Sequence, residues 1–219
     1  MRRIWRDNGL TIVLMAMFLV TFLGQAESGH RVHDHEQRQH GEPPESFLAY
    51  IATPAFMEAT AENWESEFLQ MGVFVLLTSF LYQRGSAESK DPDQPSPVDR
   101  EPDPQRPDAP RPVRRGGIAL WLYSHSLSLM FFFLFLVSLA FHAVGGAGDY
   151  NEEQAVHGDP EVTAWGYLAT SRFWFESLQN WQSEFLSIAA MVVFTIFLRE
   201  RGSPESKPVD AAHSETGQS

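Results

Sequence analysis

Two short stretches hold the residue types that could do chemistry, Asn63-Trp64-Glu65-Ser66-Glu67-Phe68-Leu69 and Asn180-Trp181-Gln182-Ser183-Glu184-Phe185-Leu186. Each sets a carboxylate one turn into an apolar run, where a membrane would demand a partner, water or a proton for it. At 3.6 residues per turn, Asn63, Glu67 and Thr78 fall on one side of a helix, and Asn180, Glu184 and Thr195 do the same. Beside them runs an apolar stripe, Trp64 and Phe68 in the first stretch and Trp181 and Phe185 in the second. Two readings follow. Glu67 and Glu184 could face each other and share a proton or a cation, with Asn63 and Asn180 alongside. Alternatively, Asn and Glu tie helices together by hydrogen bonds, and the pair is structural.

Other chemistry finds less footing. No nucleophile sits near a base, no glycine loop could cradle phosphate and no strong metal-ligand spacing appears, so neither an enzyme nor a cofactor is expected. His30, His33, His35 and His40 form a weak metal candidate, since imidazole suits zinc, copper or nickel. A solvated polar segment is the expected alternative, because only His40 has a histidine, His157, at the matching place later in the chain. His125 and His142 lie about 25 Å apart along a helix and cannot share a metal. Asn8 and Gln25 stand where their haem-ligating partners would be needed. Cysteine is absent, which removes disulfides and thiolate sites.

What must position these residues is a duplicated membrane scaffold. A shift of 117 residues superposes Asn8–Lys90 on His125–Lys207 without a gap. His40-Gly41-Glu42-Pro43 meets His157-Gly158-Asp159-Pro160, and Arg84-Gly85-Ser86 meets Arg201-Gly202-Ser203. Residues 1–85 form the first repeat, with spans at about 9–26 and 63–83 around an outward loop, 27–62. Residues 116–202 form the second, with spans at about 118–143 and 180–200 around a loop, 144–179. Thr53-Pro54 and Thr170-Ser171 read as an N-cap and first helical residue, ahead of helices running to Gln83 and Glu200. Arg84-Gly85 and Arg201-Gly202 then read as helix stops. Aromatic segments before the caps, with Tyr50, Trp165 and Tyr167, suit the headgroup layer.

Between the repeats, 86–115 carries eight prolines among charged residues and reads as a disordered, partly polyproline spacer; the tail, 203–219, is equally polar. Charge sets the orientation. With both termini and the spacer in the cytoplasm, that side holds all of the 16 basic residues except Arg31, Arg38 and Arg172. An even number of spans per repeat would make the copies parallel. The basic lead Met1–Arg6 and Gly24-Gln25-Ala26 also fit a cleaved signal peptide. Retention is the expectation, because the matching segment Leu127–Ala143 lies mid-chain. A net charge of -12 excludes nucleic acid as a partner, which leaves the lipid bilayer, further copies of the chain or another membrane protein.

The block Asn-Trp-[Glu/Gln]-Ser-Glu-Phe-Leu, with a short span ending in Arg-Gly-Ser-x-Glu-Ser-Lys, resembles an uncharacterised family of bacterial multi-pass membrane proteins classed as a domain of unknown function. That resemblance implies a bacterial inner-membrane location and brings no activity with it. The expected fold is thus an all-α integral membrane protein, four transmembrane helices in two tandem parallel hairpin repeats with interfacial amphipathic segments. Its expected role is non-catalytic assembly. Proton or cation conduction through Glu67 and Glu184 is the alternative, and a metal-binding sensor built on the His-rich loop is a third.

Overall fold

The structure is a computed structural model that describes residues 2–41 and 43–217, apart from the side chains of Arg2, His40, Val156 and His157. All described secondary structure is helical. In chain order the α-helices are α1 (Arg2–His40), α2 (Phe47–Tyr50), α3 (Pro54–Thr78), α4 (Arg111–Arg115), α5 (Gly117–Ser124), α6 (Ser126–His157), α7 (Ala164–Tyr167) and α8 (Ser171–Phe197). A short 3-10 turn, Pro97–Asp99, interrupts the segment between the halves. The bounds recur at the sequence shift: α2 with α7 at both ends, α3 with α8 at their starts, α1 with α6 at their ends.

Local chemistry explains those bounds. The Thr53 and Thr170 hydroxyls accept from the amides of Phe56 and Phe173, each at 3.2 Å, so both helices start where the caps predict. Past its apolar part, α1 stays helical to His40. Pairs one turn apart support that polar half, among them Arg31 with Glu27 at 2.7 Å and Gln39 with His35 at 2.8 Å. The loop expected from Glu27 onward is therefore largely helix. His125 caps α5 and separates it from α6, where one continuous span was expected.

The number of spans needs correction. Among the described residues two helices are long and apolar enough to cross a membrane, Arg3–Gln39 and Ser126–Ala155, and not the expected four. α3 ends at Thr78 and α8 at Phe197, short of Gln83 and Glu200. Seryl hydroxyls take the amides that further helix would use, Ser89 from Gln83 at 2.8 Å and Ser206 from Glu200 at 3.0 Å. The apolar stretches left, Phe68–Leu77 and Phe185–Phe197, rise only about 15 and 20 Å against a hydrocarbon core of about 30 Å. Gly85 and Gly202 do take positive φ, 87° and 88°, but in turns beyond the helix ends.

The chain divides into two compact units, 1–60 with 141–168 and 61–140 with 169–219. Unit 1 packs on tyrosines. Tyr50, Phe56 and Ala26 form a buried cluster, flanked by Phe22 and Phe47. Gly29 of α1 lies under the Tyr50 ring, and Gly146 of α6 lies under Tyr167, again one shift apart. Gly145 admits the first turn of α3: a Cβ there would come 2.7 Å from the Glu58 amide. In unit 2, Gly72 meets Phe131 and Phe132, and Lys207, 2 % exposed, is wrapped by the tail.

A Cβ at Gly146 would stand 2.6 Å from Tyr167 Cζ. Gly146→Val should therefore destabilise the protein by about 1–3 kcal/mol, read as a lower unfolding midpoint in detergent. In a Tyr167→Ala background the same change should cost much less, since the space is then open. Equal costs in both backgrounds would mean that the ring does not rest on the helix.

Candidate functional site

The repeated motif lies in unit 2, and its buried carboxylate is Glu65. Its side chain is 0 % exposed. Glu65 Oε1 accepts from the Trp181 indole at 3.1 Å and from the Ser177 hydroxyl at 3.4 Å. Trp181 is held edge-on by Phe135, with ring centres 6.3 Å apart. One turn back on α3, Glu62 accepts from the Asn180 side-chain amide. The first halves of α3 and α8 are thus joined by carboxylates on one and N–H and O–H donors on the other, which is hydrogen-bonded glue between helices.

The expected stripe faces differently. Asn63, Trp64 and Glu67 are exposed, Phe68 is half-buried, and Phe185 is exposed. Asn180 and Glu184 are half-buried, and Glu67 lies within electrostatic reach of Glu184. So the structure brings Asn180 and Trp181 into the network and keeps Glu67 near Glu184, while Asn63 is exposed. Glu65 was passed over because its repeat position holds Gln182. That mismatch was the available signal, since a carboxylate present in one copy only must find neutral donors opposite it.

In unit 1 the histidine segment forms the polar end of α1. His30 donates to the Glu45 carbonyl at 2.8 Å, and the rings of His30 and His33 lie 5.6 and 5.3 Å from Tyr50. His35 pairs with Gln39 on the exposed side, and the His40 side chain lies outside the described residues. Burial lifts the Tyr50 phenol above its ordinary pKa, with the Glu36 charge adding to the shift. Unit 1 also buries Glu58, 6 % exposed, with His142 and Tyr167, both 0 % exposed. The Tyr167 hydroxyl donates to Glu58 Oε1 at 2.9 Å, and the His142 ring meets Tyr167 edge-on at 6.2 Å. Neither Glu58 nor Tyr167 drew notice as a site residue in the sequence, because both lie outside the apolar runs.

At the far end of unit 2 the two Arg-Gly-Ser-x-Glu-Ser-Lys segments fold alike. Ser86 caps the Glu88 amide at 3.1 Å and Ser203 caps that of Glu205 at 3.2 Å. Lys207 donates to the carbonyls of Ala212, His213 and Glu215. Burial lowers its pKa, the Arg199 charge adds, and Glu215 opposes. The Glu88 carboxyl moves up, by burial first and the nearby Glu205 charge second. The Gly85 amide donates to Thr216 at 2.8 Å and that of Gly217 to the Ser86 carbonyl at 2.9 Å, so the tail lies on the first of these loops.

A family model described as Domain of unknown function (DUF6766) matches residues 1–218. The chain belongs to that family. Neither a curated protein nor a solved structure matches it. The DUF6766 membership spans both units and carries no activity.

The Glu65–Trp181 bond is open to a double-mutant cycle. Trp181→Phe and Glu65→Gln should each lower stability, and the cycle should return a coupling of about 1 kcal/mol in thermal or denaturant unfolding. Glu67→Gln, on the exposed side, should stay within about 0.5 kcal/mol of wild type. Additive losses would remove the bond from the account.

Proposed function

We propose that this chain is a duplicated integral membrane protein that acts without catalysis, as a structural component assembling with itself or with a membrane partner. The observation that carries this reading is the use of three carboxylates on α3, Glu58 and Glu65 buried and Glu62 half-buried. Glu58, Glu62 and Glu65 each accept a hydrogen bond from a neighbouring helix or turn, which suits glue more than a path. Membrane insertion is supported by the apolar surface of α1, where large residues from Ile4 to Leu23 stand exposed. Retention of the N-terminal helix is supported by Ala26 and Gln25. The first is packed against Tyr50 and Phe56, and the second bonds to Thr60 at 3.4 Å, at the place where a signal peptide would be cut.

In this reading α1 and α6 are membrane-crossing helices. Both termini and the spacer face the cytoplasm of a bacterium, as the basic residues favour. The contact surface lies on the outward segments, where Trp165 is 83 % exposed and Trp174, Phe175 and Leu178 are exposed as well. One observation favours a second reading, conduction of protons or cations. Glu184 lies within electrostatic reach of Glu67, as a shared-ion pair requires.

Flux in liposomes separates the two. The assembly reading expects no proton or cation flux from wild type or from folded Glu67→Gln, Glu184→Gln protein; flux present in wild type and lost in the variant would replace it with conduction. Topology is checked in the naturally cysteine-free chain. Glu161→Cys should react with an impermeant maleimide in intact cells, and Ser96→Cys only after lysis. The reverse pattern would invert the orientation.

A further inference from the structure

The duplication brings Glu88 within reach of its own counterpart. One repeat further along stands Glu205, and its charge acts on the Glu88 carboxyl. The two are not equivalent. Glu205 is exposed, whereas Glu88 Oε1 is buried and accepts no hydrogen bond, in a loop whose Ser86, Ala87 and Ser89 are buried as well. The cations of these segments are directed elsewhere. Arg84 pairs with Asp93 and Lys90 with Asp99, each at 2.6 Å, Lys207 and Arg199 donate to backbone carbonyls, and Arg201 is exposed. A buried carboxylate oxygen without a donor, close to a second carboxylate, is destabilising when ionised and tolerated when protonated.

The C-terminal tail is fastened around the same residue. The Gly85 amide donates to the Thr216 hydroxyl and the Gly217 amide to the Ser86 carbonyl, while the Ser86 hydroxyl accepts from the Glu88 amide. Gly217 also lies against the Ser89 carbonyl, where a Cβ would come within 3.4 Å. Tail contacts thus flank Glu88 on both sides, so a loop movement that carries its side chain out to water loosens the tail.

We propose that Glu88 is a proton-operated latch for the C-terminal tail. Protonated, it stays in the loop, and the loop holds Thr216 and Gly217. Ionised and repelled by Glu205, it turns to water, and the tail end lets go. Only that end moves, because the carbonyls of Ala212, His213 and Glu215 stay on Lys207. Burial first and the Glu205 charge second raise the Glu88 pKa in the latched form. The latch is therefore complete below the ordinary carboxyl range and weakens as pH rises through the raised value. Two other titratable groups lie on the tail itself. Glu215 accepts from the Ala212 amide at 2.9 Å, and His213, of a type that changes charge near neutrality, meets Phe197 edge-on at 5.5 Å.

Hydrogen exchange at the Gly85 and Gly217 amides of the full-length protein in detergent reads the latch, with rates corrected for the intrinsic effect of pH. Wild-type protection should fall severalfold from about pH 5 to about pH 8. Glu88→Gln, neutral at every pH, should keep the low-pH protection throughout. Glu205→Gln, a change at an exposed position, should shrink the fall, and it serves if Glu88→Gln does not fold. His213→Gln should leave the fall in place. Thr216→Val should lose protection at Gly85 at every pH, which shows that this amide reports the tail. A flat wild-type profile overturns the proposal. So does the full fall in a folded Glu88→Gln or Glu205→Gln protein, its loss in His213→Gln, or unchanged Gly85 protection in Thr216→Val.

Discussion

A phenol ring lying on a helix glycine is the contact on which the packing of unit 1 depends. Tyr50 covers Gly29 and Tyr167 covers Gly146, and any larger residue at either glycine would lift the ring away. Close approach of this kind supplies dispersion contacts that need no contrast with water, which is why small residues serve between helices in apolar surroundings. The two rings then differ in what their hydroxyls and neighbours do. Tyr50 sits among His30, His33 and Phe56, whereas Tyr167 reaches Glu58 beside His142. One packing device thus supports two polar environments.

Carboxylates follow the same economy in both units. Each of Glu58, Glu62 and Glu65 lies on α3 and meets a donor from a segment distant in sequence: Tyr167, Asn180 and Trp181 respectively. These donors are neutral. A neutral donor adds no second desolvated charge of its own, and it favours one helix register, since a one-residue slip would break that bond. The tail applies the complementary arrangement to a cation, with three carbonyls around Lys207. These carboxylates and Lys207 each meet a partner, in a chain whose large hydrophobics are mostly exposed.

By itself the sequence determined the helical class, the matched starts of α3 and α8, and the threonine caps that open them. These are local consequences of periodicity and side-chain hydrogen bonding, readable within a few residues. Helix ends were less legible. The Gln83 and Glu200 amides are taken by serines six residues on, so the helices stop before their apolar character does. The length of α1 was hidden for the opposite reason, because i,i+4 pairs keep a polar segment helical where composition suggests a loop. Only the tertiary structure decided which carboxylates are buried. Glu65 and Glu67 sit two residues apart on one helix, and rotation of that helix puts the first inside and the second outside. Periodicity identifies faces but not which face meets a neighbour, and that choice rests on donors such as Trp181 and Tyr167, more than a hundred residues away.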